Sequence, residues 1–164
     1  MTHLKEAAQR VEDGARVLGL AITVREMPRS TRTAEEAARA CGCGVGQIVK
    51  SLVFRGKTSG RPYLLLVSGA NRVNEKVAAA TIGEALVRPD AQYVRDVTGF
   101  AIGGIPPVAH ATKLATYIDR DLLQHDEVWA AAGTPESVFS VCPRMLAEKA
   151  GATVIAVVQP SGGS

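Results

Sequence analysis

The stretch FAIGGIPPVAH, residues 100–110, most limits what this chain can fold into. Two adjacent prolines remove backbone donors and two adjacent glycines loosen the chain, so neither a helix nor a strand can run through it. Consecutive glycines let a backbone approach a ligand closely. Their amides can point at an anion or at a developing oxyanion, and prolines hold such a loop rigid. A tight surface connection would carry the same residues.

Regular elements are predicted on both sides of this loop. Leu4, Ala7, Ala8, Val11, Ala15 and Leu18 recur at helical spacing, with Gly19 as a stop. AITVREM reads as a strand. In STRTAEEAARACG, Thr33 can cap a helix, Glu36 stands three residues on as in a capping box, and Gly42 can end it. KSLVFR and RPYLLLVSG flank the turn GKTSG, which predicts a hairpin. VNEKVAAATIG reads as a short helix, and RPDAQYVRDVTG as a helix with Pro89 at its start and Gly99 at its end. ATYIDRDLL, EVWAAAG and ESVFSV are candidate strands. CPRMLAEKAGA is a helix with Pro143 in its first turn, and TVIAVVQ a last strand. The mixture without strict alternation predicts an α/β (α+β) chain: a mixed, partly closed sheet or barrel flanked by helices.

A length of 164 residues suits one domain, 1–164, with a frayed tail at about 160–164. The net charge of +3 is too small to demand an acidic partner, and 4% aromatic content speaks against a base-stacking platform. No apolar run reaches the roughly 20 residues of a membrane span. The charged N-terminus is unlike a signal peptide, and three cysteines without framework spacing suggest a reducing cytosol, so a cytoplasmic protein is expected.

The stretch CGCGVGQIVKS, residues 41–51, invites several chemical readings. A structural zinc site needs about four ligands, and Cys41 and Cys43 have no second pair at knuckle spacing. The spacing is not that of a redox Cys-x-x-Cys pair. A dinucleotide loop would want a glycine where Gln47 stands, and a Walker loop a glycine where Val49 stands. The cysteines are read as small residues at a helix end, and no metal or cofactor is expected. Lys50 is different. A lysine at the start of an apolar strand must reach solvent, an anion or a buried partner. No serine lies in a nucleophile elbow, and no carboxylate pair flanks an obvious cleft.

Taken in order, these segments resemble the YbaK/ProX family, free-standing relatives of the editing domain inserted in bacterial prolyl-tRNA synthetases. The matching features are TAEEAA, VGQIVKSLVF with the family lysine at Lys50, YLLLVSGANRVNEKVAAATIG, and VTGFAIGGIPP. The last matches the family loop GYxxGGxxP through Gly99, Phe100, Gly103, Gly104 and Pro106. AAAGTPESVFSV is a weaker fifth match. The resemblance runs from about Ile22 to Val158 and implies the fold of that editing domain.

It also implies a hydrolase that cleaves the ester between a wrong amino acid and the 3′-terminal adenosine of a tRNA. A synthetase pocket cannot strongly reject small or near-isosteric amino acids, so a second site removes the errors. An aminoacyl ester is already activated, and the substrate or a bound water can supply the attacking group, so no protein nucleophile is required. On this resemblance Lys50 binds the terminal phosphate or ribose, Gly103 and Gly104 donate amides to the ester oxygen, and Pro106 holds their loop. Ser51 and Ser68 hydrogen-bond the substrate, Ala132 and Gly133 line the amino-acid pocket, and His110 is a further substrate-binding residue. Met27 and Val138 occupy positions where the cysteine-specific branch carries a tyrosine and an aspartate, which places Met27 at the substrate and argues against strict cysteine selectivity. The expected substrates are tRNA-Pro bearing alanine, 2-aminobutyrate, serine, threonine or cysteine. The expected partners are the CCA end of aminoacyl-tRNA and prolyl-tRNA synthetase, with the protein acting as a monomer or homodimer and without a membrane. Two other functions fit the same residues: a tRNA-binding or regulatory module without hydrolysis, and a small-molecule esterase.

Overall fold

A computed structural model describes residues 5–28 and 31–158. The expected frayed tail lies outside the described residues. Among the described residues, five α-helices flank one eight-stranded mixed sheet. The helices are α1 (Glu6–Val17), α2 (Ala34–Cys41), α3 (Glu75–Ile82), α4 (Ala91–Thr98) and α5 (Pro143–Ala150). The strands are β1 (Arg25–Glu26), β2 (Ile48–Gly56), β3 (Pro62–Ser68), β4 (Leu86–Val87), β5 (Ala115–Asp119), β6 (Val128–Ala131), β7 (Ser137–Val141) and β8 (Thr153–Ile155). Their order is β1-β7-β6-β2-β3-β5-β8, with β4 beside β2. Among the described residues, no helix is long and apolar enough to cross a membrane.

Local signals in the sequence explain most of the element ends. Thr33 Oγ1 accepts the Glu36 N–H at 3.0 Å and starts α2, and Gly42 ends it at φ 69°. Asn74 and Asp90 cap α3 and α4 in the same manner. Pro89 therefore stands just before α4 rather than within it, because Asp90 supplies the cap. Two expected strands are shorter than read. AITVREM contributes only Arg25 and Glu26, paired with β7, and β8 stops at Ile155. The second half of ATYIDRDLL turns into a 3-10 helix, Arg120–Gln124, because the Asp119 side chain accepts the Asp121 N–H and closes a turn there. The two-residue β4 carries no signal of its own in the sequence and exists through pairing with β2.

The central strand β3 is buried on both faces. Leu64 and Leu66 enter a large core with α1, α4 and α5, while Tyr63, Leu65 and Val67 enter a second core with Ala78 of α3. Burial on both sides is why YLLLV is continuously apolar rather than alternating. Strand β2 is split similarly. Val49 and Val53 face the large core, and Leu52 and Phe54 face the α3 side. Ile48 belongs to a third cluster under α2, with Ala37, Ala38, Trp129 and Val138. Lys50 thus falls on the helical face between the territory of α2 and that of α3.

Candidate active site

The open edge of β2 creates the site. Its antiparallel partner β3 covers one edge from Val49 to Arg55. On the other edge β6 pairs only with Ile48 and Val49, and β4 only with Arg55 and Gly56. The residues between have no ladder partner on that side among the described residues. A cavity of about 560 Å³ lies there, and residues from both faces of the strand reach it: Lys50 from one, Ser51 from the other. Ile102, Gly103 and Ile105 of the glycine-proline loop line it too, as do Arg32 and Thr33 at the start of α2. The rest of the wall is mostly apolar, with Ala37, Ala130, Ala131 and Val138 beside the larger Ile48, Leu52 and Trp129.

Lys50 is half-buried, and its ammonium donates to the backbone carbonyl of Asn71. Burial lowers its pKa, and Arg72 pushes the same way, while Glu35 and Asp119 push it back up. Ser51 Oγ is buried and has no hydrogen-bond partner among the described residues. A hydroxyl in that state costs free energy until something satisfies it. Gly103 adopts φ 101°, which favours glycine, and a side chain there would point toward Arg32.

Of the residues given a role in the site from the sequence, Lys50, Ser51 and Gly103 line one cavity. Gly104, Pro106, His110, Ser68, Met27, Ala132 and Gly133 are not among its lining residues. The Gly104 N–H donates to Ala101 O at 3.1 Å, so it is taken within the loop, whereas the Gly103 N–H has no such bond among the described residues. Gly104 O accepts the Gly133 N–H at 2.8 Å, and a Cβ on Gly104 would meet the Gly133 backbone at 2.7 Å. These two glycines press the loop against the turn after β6. Ala132 is fully buried in the large core, and Ala130 and Ala131 take the wall position expected of Ala132 and Gly133. Pro106 is buried, and His110 Nε2 lies 2.7 Å from its carbonyl. His110 faces a second cavity behind the loop, bounded by Arg10, Leu18 and Lys113, and burial lowers its pKa. Ser68 Oγ donates to Gly46 O at 2.9 Å and holds the turn before β2. Met27 packs on the cluster under α2 and pairs its N–H with Glu136 O at 2.7 Å.

Sequence reasoning passed over Asn71, Asp119 and Arg32. The signal for Asn71 was a polar residue just past the apolar strand, in SGANR, which a turn explains equally well. The cysteines do no visible chemistry. Burial pushes the Cys41 thiol up to about 11, helped by Cys43, so it stays protonated, and among the described residues no three metal-binding side chains gather.

Known proteins resemble this arrangement. A family model described as "Aminoacyl-tRNA editing domain" matches residues 28–149. A solved structure of a candidate trans-editing enzyme for prolyl tRNA synthetase superposes with a TM-score of 0.90 at 47% identity, covering 96% of this chain and 100% of that one. Hypothetical protein APE2540 superposes at 0.84 with 31% identity, over 92% and 99% of the two chains. The uncharacterized protein YwhH of Bacillus subtilis (strain 168) is 30% identical over 125 residues, 76% of this chain and 79% of that protein.

Proposed function

We propose, given that the chain belongs to the aminoacyl-tRNA editing domain family, that it removes small misacylated amino acids from tRNA-Pro in trans. The observation that carries this reading is the meeting of Lys50, Ser51 and Gly103 on one cavity whose other walls are mostly apolar, with Arg32 and Thr33 at the start of α2 as polar exceptions. The cavity has room for an amino acid and the adjoining ribose, and the tRNA body stays outside. Alanine and valine walls suit a small side chain such as that of alanine, 2-aminobutyrate, serine, threonine or cysteine.

Each residue has a task in the reaction. A water molecule adds to the ester carbonyl and gives up a proton. The Gly103 N–H faces the oxygen that gains negative charge. The bond from the carbonyl carbon to the ribose oxygen then breaks, and that oxygen takes up a proton. With water as nucleophile the amino acid leaves directly as its carboxylate, and the net consumption is one water. Lys50 holds a phosphate or ribose oxygen of the terminal adenosine as a compact cation. Ser51 Oγ gains from substrate the hydrogen bond it lacks.

The test is incubation with a panel of mischarged tRNAs and with the matching free aminoacyl esters. Release from tRNA but not from free esters is expected, with Lys50→Ala slower by at least about tenfold, the loss of one charge-assisted contact. Binding without release would point to a regulatory module, and equal cleavage of free esters to a small-molecule esterase. A Lys50→Ala protein as fast as the parent would remove Lys50 from the site.

A further inference from the structure

Behind Lys50 stands a layer of polar groups that the roles above leave unused. Asn71 accepts the Lys50 ammonium on its backbone carbonyl, and its side-chain amide donates to two carboxylates at once. Its Nδ2 lies 2.8 Å from Asp119 Oδ2 and 2.8 Å from Asp121 Oδ2. Both amide hydrogens are therefore used, which fixes the side chain and with it the backbone that faces Lys50. Asp119 is only 1% exposed. It receives the Ser68 N–H on Oδ2 at 3.1 Å and the Asp121 N–H on Oδ1 at 2.9 Å. Asp121 Oδ1 in turn accepts from Gln124 Nε2 at 3.1 Å.

The ion pairs found among the described residues do not include Asp119. A buried carboxylate without a contacting cation is expensive, and it is tolerable here because N–H donors surround it. Its field reaches Lys50, which also feels Glu35 of α2 and Arg72 beside Asn71, with Arg32 on the same cavity. A lysine left free on its four-carbon stem would sample many rotamers and lose that freedom on binding.

We propose that Asn71 and Asp119 are positioning residues for Lys50, fixing its ammonium at the cavity wall so that it meets the tRNA terminus already ordered. The catalytic meaning of this relay rests on the deacylase reading; its geometry does not. In the apo protein the relay holds one lysine geometry, and loss of either member loosens it.

A double-mutant cycle tests the first half. Asn71→Ala is expected to cost about tenfold in kcat/KM on a mischarged tRNA when Lys50 is present, and little in a Lys50→Ala background, because its effect runs through Lys50. Equal losses in both backgrounds, or no loss in the parent, overturn the proposal. Since Asn71→Ala could disturb the turn itself, the near-isosteric Asp119→Asn protein supplies a second readout without substrate. In an NMR titration of carbon-13-labelled lysine, Lys50 is expected to lose its proton at a lower pH in Asp119→Asn than in the parent, because a neighbouring negative charge is gone. An unchanged midpoint overturns the relay. The titration needs no mischarged tRNA, so failure of the deacylase reading and failure of the relay give different results.

Discussion

Ser51 shows how a single side chain can be costly to the free protein. Its buried hydroxyl lacks a partner. Ser51→Ala is therefore expected to leave the unliganded protein as stable as the parent or more stable, by up to about 1 kcal/mol, while slowing deacylation. Thermal melts set beside single-turnover rates check both signs, and a destabilised Ser51→Ala protein would mean that the hydroxyl has an unseen partner. Gly104 is the opposite case, a residue that acts by what it lacks. An added methyl would stand 2.7 Å from the Gly133 backbone, which cannot swing away as a side chain could. Gly104→Ala is expected to destabilise by about 1–3 kcal/mol, the cost of overpacking, and to displace Gly103 from the cavity. Urea unfolding and a deacylation assay on the same protein check the pair of effects. At this scale Lys50 and the doubled glycine were singled out by their likeness to the family motifs, although Gly104 packs behind the cavity that Lys50 and Gly103 line. Asn71 and Asp119 were not, because a polar residue after a strand and an aspartate in a turn are common. Only contact between distant parts of the chain distinguishes these two.

The β2–β3 hairpin depends on one carboxylate from elsewhere. Glu84, just past α3, accepts the Thr58 N–H at 3.0 Å, the Ser59 N–H at 2.9 Å, the Ser59 hydroxyl at 2.6 Å and the Tyr63 hydroxyl at 2.6 Å. These donors hold its pKa at about 2, the Ser59 hydroxyl first. Gly56 leaves room for it, since a Cβ there would meet the carboxylate at 2.4 Å. A carboxylate whose pKa is depressed in the folded state stabilises that state fully above its unfolded value, here 4.5. That contribution falls away as the pH drops from there toward about 2. The parent should lose stability across this window, and Glu84→Gln should lose less, in denaturation curves taken at stepped pH. Equal pH slopes for the two proteins would sink the assignment. Element identities were mostly readable because caps are local: Thr33, Gly42, Gly99 and Pro143 each act within a few residues. The errors fell where pairing decides, in the truncated β1 and in β4. The 3-10 helix after β5 arose instead from an aspartate closing its own turn.

Across the whole molecule, stability rests on a sheet covered on both faces. Phe139 is fully buried in the large core with Leu64, Phe100 and Leu146. Phe139→Ala is expected to cost about 3–5 kcal/mol, seen as a lower urea midpoint, with the cavity at β2 harmed only through the fold. A loss below 1 kcal/mol would mean that this region repacks freely.

The sequence by itself determined the kinds of element, the ends of most helices, the hairpin, and the two locally unusual motifs. Those properties follow from steric and hydrogen-bonding rules acting over a few residues. Only the tertiary structure decided that β6 leaves β2 after Val49 and β4 rejoins it at Arg55, so that a cavity opens between them at Lys50. It also decided that Gly103 faces that cavity while Gly104 packs behind it, and that Asp119 comes to lie behind Asn71. Such juxtapositions join segments tens of residues apart. They are fixed by which surfaces can be buried together, and no local pattern encodes that.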